Sequence, residues 1–214
     1  MLTTAIDWIL HLDKYLAMLA AEHGVLVYVL LFVVILIETG VVVMPFLPGD
    51  SLLFVAGALA AQGMFSLPLL IPLLFVAAVG GDTLNFAIGG LLRERIRHGH
   101  RLPLIKADHL ARTEGFFDRH GRKTIVLARF VPIVRTLAPF VASLGNMHYG
   151  TFLAYNVVGG ALWVLSLTGA GYAFGNIAWV SANLTAVLLG IIALSLLPGL
   201  LAWFQERRGA TRSA

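Results

Sequence analysis

The sequence contains no cysteine, which excludes disulfides and thiolate metal sites. Charged residues are also scarce, at 12% of the chain, whereas soluble domains carry about a quarter. Hydrophobic residues make up 59%, and the mean hydropathy is +0.88. Most of the 214 residues are therefore expected to contact lipid or buried protein, and we predict one membrane domain over 1–214 without a second, soluble domain.

The distribution of apolar and charged residues divides the chain into five parts. They are an N-terminal segment 1–22, a first half 25–92, a basic loop 93–123, a second half 124–204 and a tail 205–214. The amphipathic pattern of the first part predicts a helix at the membrane interface. The positive-inside rule places the basic loop and the tail in the cytoplasm. Because the basic residues cluster in these membrane-flanking parts, the net charge of +4 does not indicate a nucleic-acid partner.

The number of apolar segments conflicts with this topology unless some of them do not cross the membrane. Three segments separate the loop from the tail, namely 125–145, 151–175 and 178–204. Three crossings would leave the tail outside, so one segment must enter and leave on the same side. The first is the candidate, because two prolines break it, and the same reasoning makes 46–65 a hairpin from the opposite side. The residues assigned to hairpin geometry are Pro45, Pro48, Gly49, Pro132 and Pro139.

The two halves also show a weak internal repeat. When the chain is shifted by 85 positions, Asp50-Ser51-Leu52 aligns with Arg135-Thr136-Leu137. Paired broken segments in corresponding places are a sequence signal of a transporter site. We predict an all-α polytopic membrane protein: an inverted repeat with two opposed re-entrant helical hairpins, about four transmembrane helices and an N-terminal amphipathic helix. The alternative is a set of kinked but ordinary spans.

Four charged residues lie within long apolar sequence: Glu38, Asp50, Arg129 and Arg135. A charge in hydrocarbon costs at least about 3 kcal/mol, and such charges usually line a pathway or a binding site. Guanidinium groups bind phosphate in a bidentate manner, so we predict that the two arginines bind a lipid phosphate. The two acids can take up protons where burial favours their neutral form. The alternative for all four is a set of ion pairs that holds the hairpins together.

Other polar residues are weaker candidates for lining a cavity. They are Ser51, Asp82, Asn85, Thr136 and Asn156. For Asp82 and Asn85, the alternative is simple bonding to neighbouring helices. The pair Gly171-x-x-x-Gly175 predicts close helix packing. Histidine spacing in the basic loop matches no zinc site, and the sequence lacks a catalytic constellation, so we predict neither a metal, a cofactor nor an enzyme.

Three segments resemble the DedA family, bacterial relatives of the eukaryotic VTT-domain lipid scramblases. They read E-T-G-x-x-x-x-P-F-L-P-G-D-S-L-L-F-x-A-G-A-L-A from Glu38, F-x-x-H-G-x-K-T-I-x-L-A-R-F-V-P-I-V-R-T from Phe117, and M-x-Y-x-x-F-x-x-Y-N from Met147. The resemblance extends from about Trp8 to Pro198. Asn146 and His148 depart from the family pattern without touching the four charges.

The resemblance implies a multi-pass protein of the bacterial inner membrane, with both termini cytoplasmic, that supports envelope integrity. It further implies movement of lipids between leaflets, driven by the proton motive force. Undecaprenyl phosphate is the expected lipid, and phosphatidylethanolamine or general phospholipid scrambling is the alternative. A proton-dependent small-molecule or drug transporter is a more distant one. The family's functional acids and arginines correspond to Glu38, Asp50, Arg129 and Arg135. A homo-oligomer is compatible with the sequence.

Overall fold

The computed structural model describes residues 12–41, 49–97, 107–183, 186–187 and 190. None of these residues forms a β-strand, so the predicted all-α class is confirmed for the part described. The α-helices are α1 (Leu12–Gly40), α2 (Gly49–Ala61), α3 (Leu67–Arg97), α4 (Ala107–His120), α5 (Thr124–Ala128), α6 (Pro132–Leu144), α7 (Tyr149–Gly175) and α8 (Ala178–Ala182). A 3-10 turn, Gly121–Lys123, joins α4 to α5.

Two helices among the described residues are long and apolar enough to cross a membrane. They are Leu67–Arg93, within α3, and Tyr149–Gly175, which is α7, each of 27 residues. At 1.5 Å per residue each measures about 40 Å, more than the roughly 30 Å of a hydrocarbon core. The second helix coincides with the predicted apolar segment 151–175, and the first covers the apolar stretch 67–92 at the end of the first half. Three further apolar helices are shorter, namely Gly24–Gly40, Gly49–Ala61 and Val134–Leu144.

The first helix differs from the prediction at its N-terminal end. We expected a separate interfacial helix over 1–22, but α1 runs without a break from Leu12 to Gly40. No proline lies between the segment 1–22 and the apolar sequence that begins at residue 25. An isolated glycine such as Gly24 weakens a helix without ending it. Residues 1–11 lie outside the described part, as do Pro45, Pro48 and most of the predicted span 178–204. Helix α4 lies within the basic loop.

The predicted interruption of segment 125–145 is present. Helix α5 ends at Ala128, and a turn follows in which the Val131 N–H donates to the Ala128 carbonyl at 2.9 Å. Pro132 then opens α6, where its missing N–H costs no helical hydrogen bond. Val131 is extended, as expected for a residue that precedes proline. This break places Arg129 in the turn, while Arg135 lies in the first turns of α6.

The backbones of helices α2 and α7 approach each other closely at several glycines. Nearly every residue of α2 is buried. A Cβ atom at Gly171 would overlap the Phe54 carbonyl, and one at Gly175 would lie 2.6 Å from the Cα of Ala58. Gly57 faces the Thr168 carbonyl in the same way. The predicted close packing at Gly171 and Gly175 is therefore present, and α2 is its partner.

A buried amide fixes α1 and α6 on α3. The side chain of Asn85 is fully buried on α3, and its Nδ2 donates to the Thr39 carbonyl at 3.2 Å and to the Thr136 carbonyl at 2.8 Å. Each acceptor lies one residue from a charged side chain, Glu38 on α1 and Arg135 on α6. These bonds therefore fix the positions of the two charged residues relative to each other. Asn85 itself bonds to two neighbouring helices.

Candidate functional site: two buried arginine centres

Arg135 on α6 joins the first and second halves of the chain. Its Nη2 donates to Oε1 of Glu38 on α1, and its Nη1 donates to Oδ1 of Asp50 on α2 at 2.7 Å. The side chains of Arg135 and Glu38 are 9% and 2% exposed, and that of Asp50 is 27% exposed. Asp50 also lies in the first turn of α2, where the helix dipole favours a negative charge. We call these three residues the Arg135 centre.

Arg129 forms a second centre with different partners. Its Nη2 donates to Oδ2 of Asp82 on α3 and to Oδ1 of Asn156 on α7, both at 2.5 Å. Asn156 is oriented in turn, because its Nδ2 donates to the Val79 carbonyl at 3.1 Å. Arg129 and Asp82 are 3% and 4% exposed. We call Arg129, Asp82 and Asn156 the Arg129 centre.

Trp163 on α7 contacts both centres. Its Nε1–H donates to Oδ1 of Asp50 at 2.8 Å. Its ring centroid lies 4.8 Å from Cζ of Arg135 and 5.9 Å from Cζ of Arg129, within the range of cation–π attraction. The side chain is 1% exposed, so these contacts are made away from water. A single indole therefore links the two guanidinium groups.

Glycines allow the backbone to approach the charged groups. A Cβ at Gly49, the first residue of α2, would overlap the carboxylate of Glu38. On α7, a Cβ at Gly159 would lie 3.2 Å from Nε of Arg129, and one at Gly160 would lie 3.4 Å from its Nη2. Gly49 therefore does more than shape a predicted hairpin, since it gives the Glu38 carboxylate its space.

The two centres differ in charge balance and in hydrogen bonding. Arg129 faces one carboxylate, whereas Arg135 faces two. Nε and Nη1 of Arg129 are buried without a hydrogen-bond partner, and so is Oε2 of Glu38. Unpaired buried polar atoms are costly, and in native proteins they often mark functional sites. Buried guanidinium groups with spare donors can bind an anion, and a spare carboxylate oxygen can bind a proton.

The structure brings most of the sequence candidates into this region. Asp82 and Asn156, predicted as possible cavity residues, are direct partners of Arg129, and Asn85 fastens neighbouring helices. Ser51 and Thr136 are buried beside Asp50 and Arg135 in the chain. Sequence reasoning missed Trp163 altogether. A signal existed, because a tryptophan inside an apolar helix needs an acceptor for its N–H.

The family model of the VTT domain matches residues 47–173. Protein DedA of Escherichia coli K12 is 50% identical over 211 residues, which cover 98% of this chain and 96% of that protein. The chain belongs to the DedA family of inner-membrane proteins. An uncharacterized membrane protein of Mycobacterium leprae is 40% identical over 182 residues, covering 85% of this chain and 82% of its own. Inner membrane protein YqjA of Escherichia coli K12 is 37% identical over 151 residues, covering 71% and 69%.

No solved structure matches this chain. The matched VTT region of this DedA-family protein contains both arginines, Asp50, Asp82 and Trp163, while Glu38 precedes it. Both centres are therefore assembled mainly from the family domain, with one carboxylate contributed by α1.

Proposed function

We propose that this DedA-family protein is a translocase that moves a phosphate-bearing lipid between the leaflets of the bacterial inner membrane. The observation that carries the proposal is the pair of buried arginines, each held by carboxylates from the other half of the chain. Buried charges of this kind are expensive and mark substrate or ion pathways. Arginine stays charged when buried and matches the geometry of phosphate oxygens, so a phosphate headgroup is the ligand that suits the site.

The proposed topology is an inverted repeat with two opposed re-entrant hairpins and cytoplasmic termini. Helices α2 and α6 have 13 residues each, or about 20 Å, which is too short to cross the hydrocarbon core. The turn between α5 and α6 is irregular backbone, which is tolerated at membrane depth where protein buries it. Asp50 then sits on the first hairpin and the arginines on the second, and the ion pair of Asp50 with Arg135 forms where the hairpins meet.

Protons are the proposed coupling ions. Glu38 and Asp50 share Arg135, so protonation of either acid weakens its hold on the guanidinium. The proton motive force would then drive the exchange of carboxylate for phosphate on the arginines. A passive phospholipid scramblase is the second candidate, favoured by the family's eukaryotic relatives. Proton-dependent export of small molecules is a weaker candidate. Neither the scramblase nor the exporter requires catalysis by the chain.

Undecaprenyl phosphate is the proposed lipid, on the resemblance to the family. Purified protein in liposomes should flip it faster than phosphatidylethanolamine, and only when a pH gradient is imposed. Equal flipping rates for both lipids without a gradient would indicate a passive scramblase instead of a proton-coupled translocase. Failure to flip either lipid would refute leaflet transport.

Charge-neutral variants of the acids test the coupling. Glu38→Gln and Asp50→Asn should each abolish gradient-dependent flipping while the protein still inserts into the membrane, because neither side chain can then exchange a proton. Glu114→Gln is the matched control, since Glu114 is exposed on α4 and should leave flipping unchanged. Full gradient-driven flipping by both variants would remove these acids from the coupling mechanism.

A further inference from the structure

We propose that the Arg129 centre is the subsite that first binds the anionic headgroup, and that Asp82 is the counter-ion with which the phosphate oxygens compete. This inference rests on the proposed function, and it assigns the two arginines different tasks. Arg129 receives the ligand first, whereas Arg135 holds the two halves of the chain together until its carboxylates are exchanged.

The hydrogen bonds of the two guanidinium groups support this division. Both terminal nitrogens of Arg135 are committed to carboxylates, Nη1 to Asp50 and Nη2 to Glu38. On Arg129, all the side-chain bonds converge on Nη2, and both Nε and Nη1 remain unpaired although the residue is 3% exposed. An anion can therefore gain new hydrogen bonds from Arg129 without first breaking existing ones.

The charges around each arginine favour the same assignment. At the Arg129 centre one carboxylate balances one guanidinium, and the third partner, Asn156, is neutral. At the Arg135 centre two carboxylates oppose one guanidinium, so an incoming phosphate meets an excess of negative charge. Like charges repel strongly at short range in a weakly polar surrounding. On electrostatic grounds, the Arg129–Asp82 pair, whose charges balance, is therefore the better binding site for an anion.

The surroundings of Arg129 in the fold differ from those of Arg135. Because Gly159 and Gly160 have no side chains, the α7 backbone packs directly against the guanidinium of Arg129. Trp163 offers its ring to Arg129 at 5.9 Å, more loosely than the 4.8 Å to Arg135. Arg129 also lies in the turn between α5 and α6 rather than within a helix, so a small change of backbone can move it toward a ligand. Arg135, inside α6, has no such freedom.

The experiment measures binding of two probes to the purified full-length protein in nanodiscs, namely dodecyl phosphate and inorganic phosphate. Asp82→Asn keeps the shape and one acceptor for Nη2 but removes the competing charge. It should tighten binding of dodecyl phosphate about tenfold, because the charge of the guanidinium is then no longer balanced by a carboxylate that competes with the ligand. Arg129→Lys should weaken binding by at least about tenfold, since the planar donor set is lost.

Arg135→Lys should change affinity by less than about threefold, and exposed Arg122→Lys on the 3-10 turn is the matched control for the chemical change. Tighter binding by a variant cannot come from misfolding, so Asp82→Asn decides the question even if Arg129→Lys fails to fold. Unchanged or weaker binding by Asp82→Asn, or a larger loss for Arg135→Lys than for Arg129→Lys, would overturn the assignment.

The two probes separate the possible sources of the anion. Binding of dodecyl phosphate alone identifies a lipid headgroup, and equal affinity for inorganic phosphate identifies a free anion as the ligand of the same subsite. If the binding pattern holds but the wild-type protein flips no lipid, the proposed function fails and the subsite stands. If lipid is flipped but the variants bind alike, the translocase stands and the subsite is refuted.

Discussion

Replacing Gly171 with alanine should force α2 and α7 apart. The added Cβ would overlap the carbonyl oxygen of Phe54 and lie 2.8 Å from its carbonyl carbon and 3.1 Å from the amide nitrogen of Ala58. All three atoms belong to the backbone of α2, so no side-chain rotation can relieve the clash. An ordinary contact requires 3.4–4 Å, whereas the Cβ would lie 2.0 Å from the carbonyl oxygen, so the helices must separate by at least about 1.4 Å at this point.

The separation should cost both stability and function. Overpacking of a well-packed interface typically costs about 1–3 kcal/mol, and the better helix propensity of alanine returns at most about 1 kcal/mol. We expect a net loss of about 1–2 kcal/mol in the free energy of unfolding. Trp163 lies on the same helix and donates to Asp50 on α2 at 2.8 Å. A displacement of about 1.4 Å would stretch that hydrogen bond beyond its useful range and disturb the Arg135 centre.

The assay is reversible unfolding of the purified protein by SDS in mixed micelles, combined with lipid flipping in liposomes. Gly169→Ala is the matched control, because Gly169 lies on the same helix with no heavy atom within 4 Å of its ideal Cβ. That variant should be neutral or slightly stabilised, by up to about 1 kcal/mol. If Gly171→Ala and Gly169→Ala have the same stability, the close packing of α2 against α7 is not what holds these helices together.

Two further predictions concern the indole and the topology. Trp163→Phe keeps the aromatic face but loses the N–H bond to Asp50, so the rate of lipid flipping in liposomes should fall severalfold. Trp163→Leu also loses the aromatic face, so its rate should fall further. Equal rates for the two variants would mean that the ring face contributes nothing. Single cysteines placed at His120 and Met147 should both react with a membrane-impermeant maleimide from the cytoplasmic side. Labelling of Met147→Cys solely from outside would make the second hairpin a span and refute the inverted repeat.

The sequence predicts those features of the fold that depend on local chemistry. Prolines remove a backbone donor wherever they occur, so the break between α5 and α6 follows from Pro132 without knowledge of its surroundings. Glycines four residues apart on an apolar helix predict a close neighbour, as Gly171 and Gly175 do. The identity of that neighbour depends on tertiary packing, and no local pattern names α2. Continuity of α1 was missed because polar residues near its start imitate a separate interfacial helix.

The charged residues could be found from sequence, but most of their partners could not. Four charges in apolar surroundings are visible to inspection, and pairing between acids and arginines was an open alternative. The contact of Arg129 with Asp82 joins positions 47 residues apart, and that of Trp163 with Asp50 joins positions 113 apart. Such pairings depend on where α3 and α7 pack relative to the two arginines, which is a property of the assembled fold.

The shared indole suggests how movement at one centre would reach the other. Removing one partner from a buried ion pair typically costs about 3–5 kcal/mol, because a charge is left uncompensated. The proposed hairpins can therefore separate at Arg135 only if something replaces each lost partner. A proton can neutralise Glu38 or Asp50, and a phosphate can take the place of a carboxylate on a guanidinium. Protonation of an acid and replacement of a carboxylate by phosphate are each unfavourable alone, so the proposed cycle requires the proton and the anion to bind together. Trp163 stays in contact with both arginines throughout this proposed cycle.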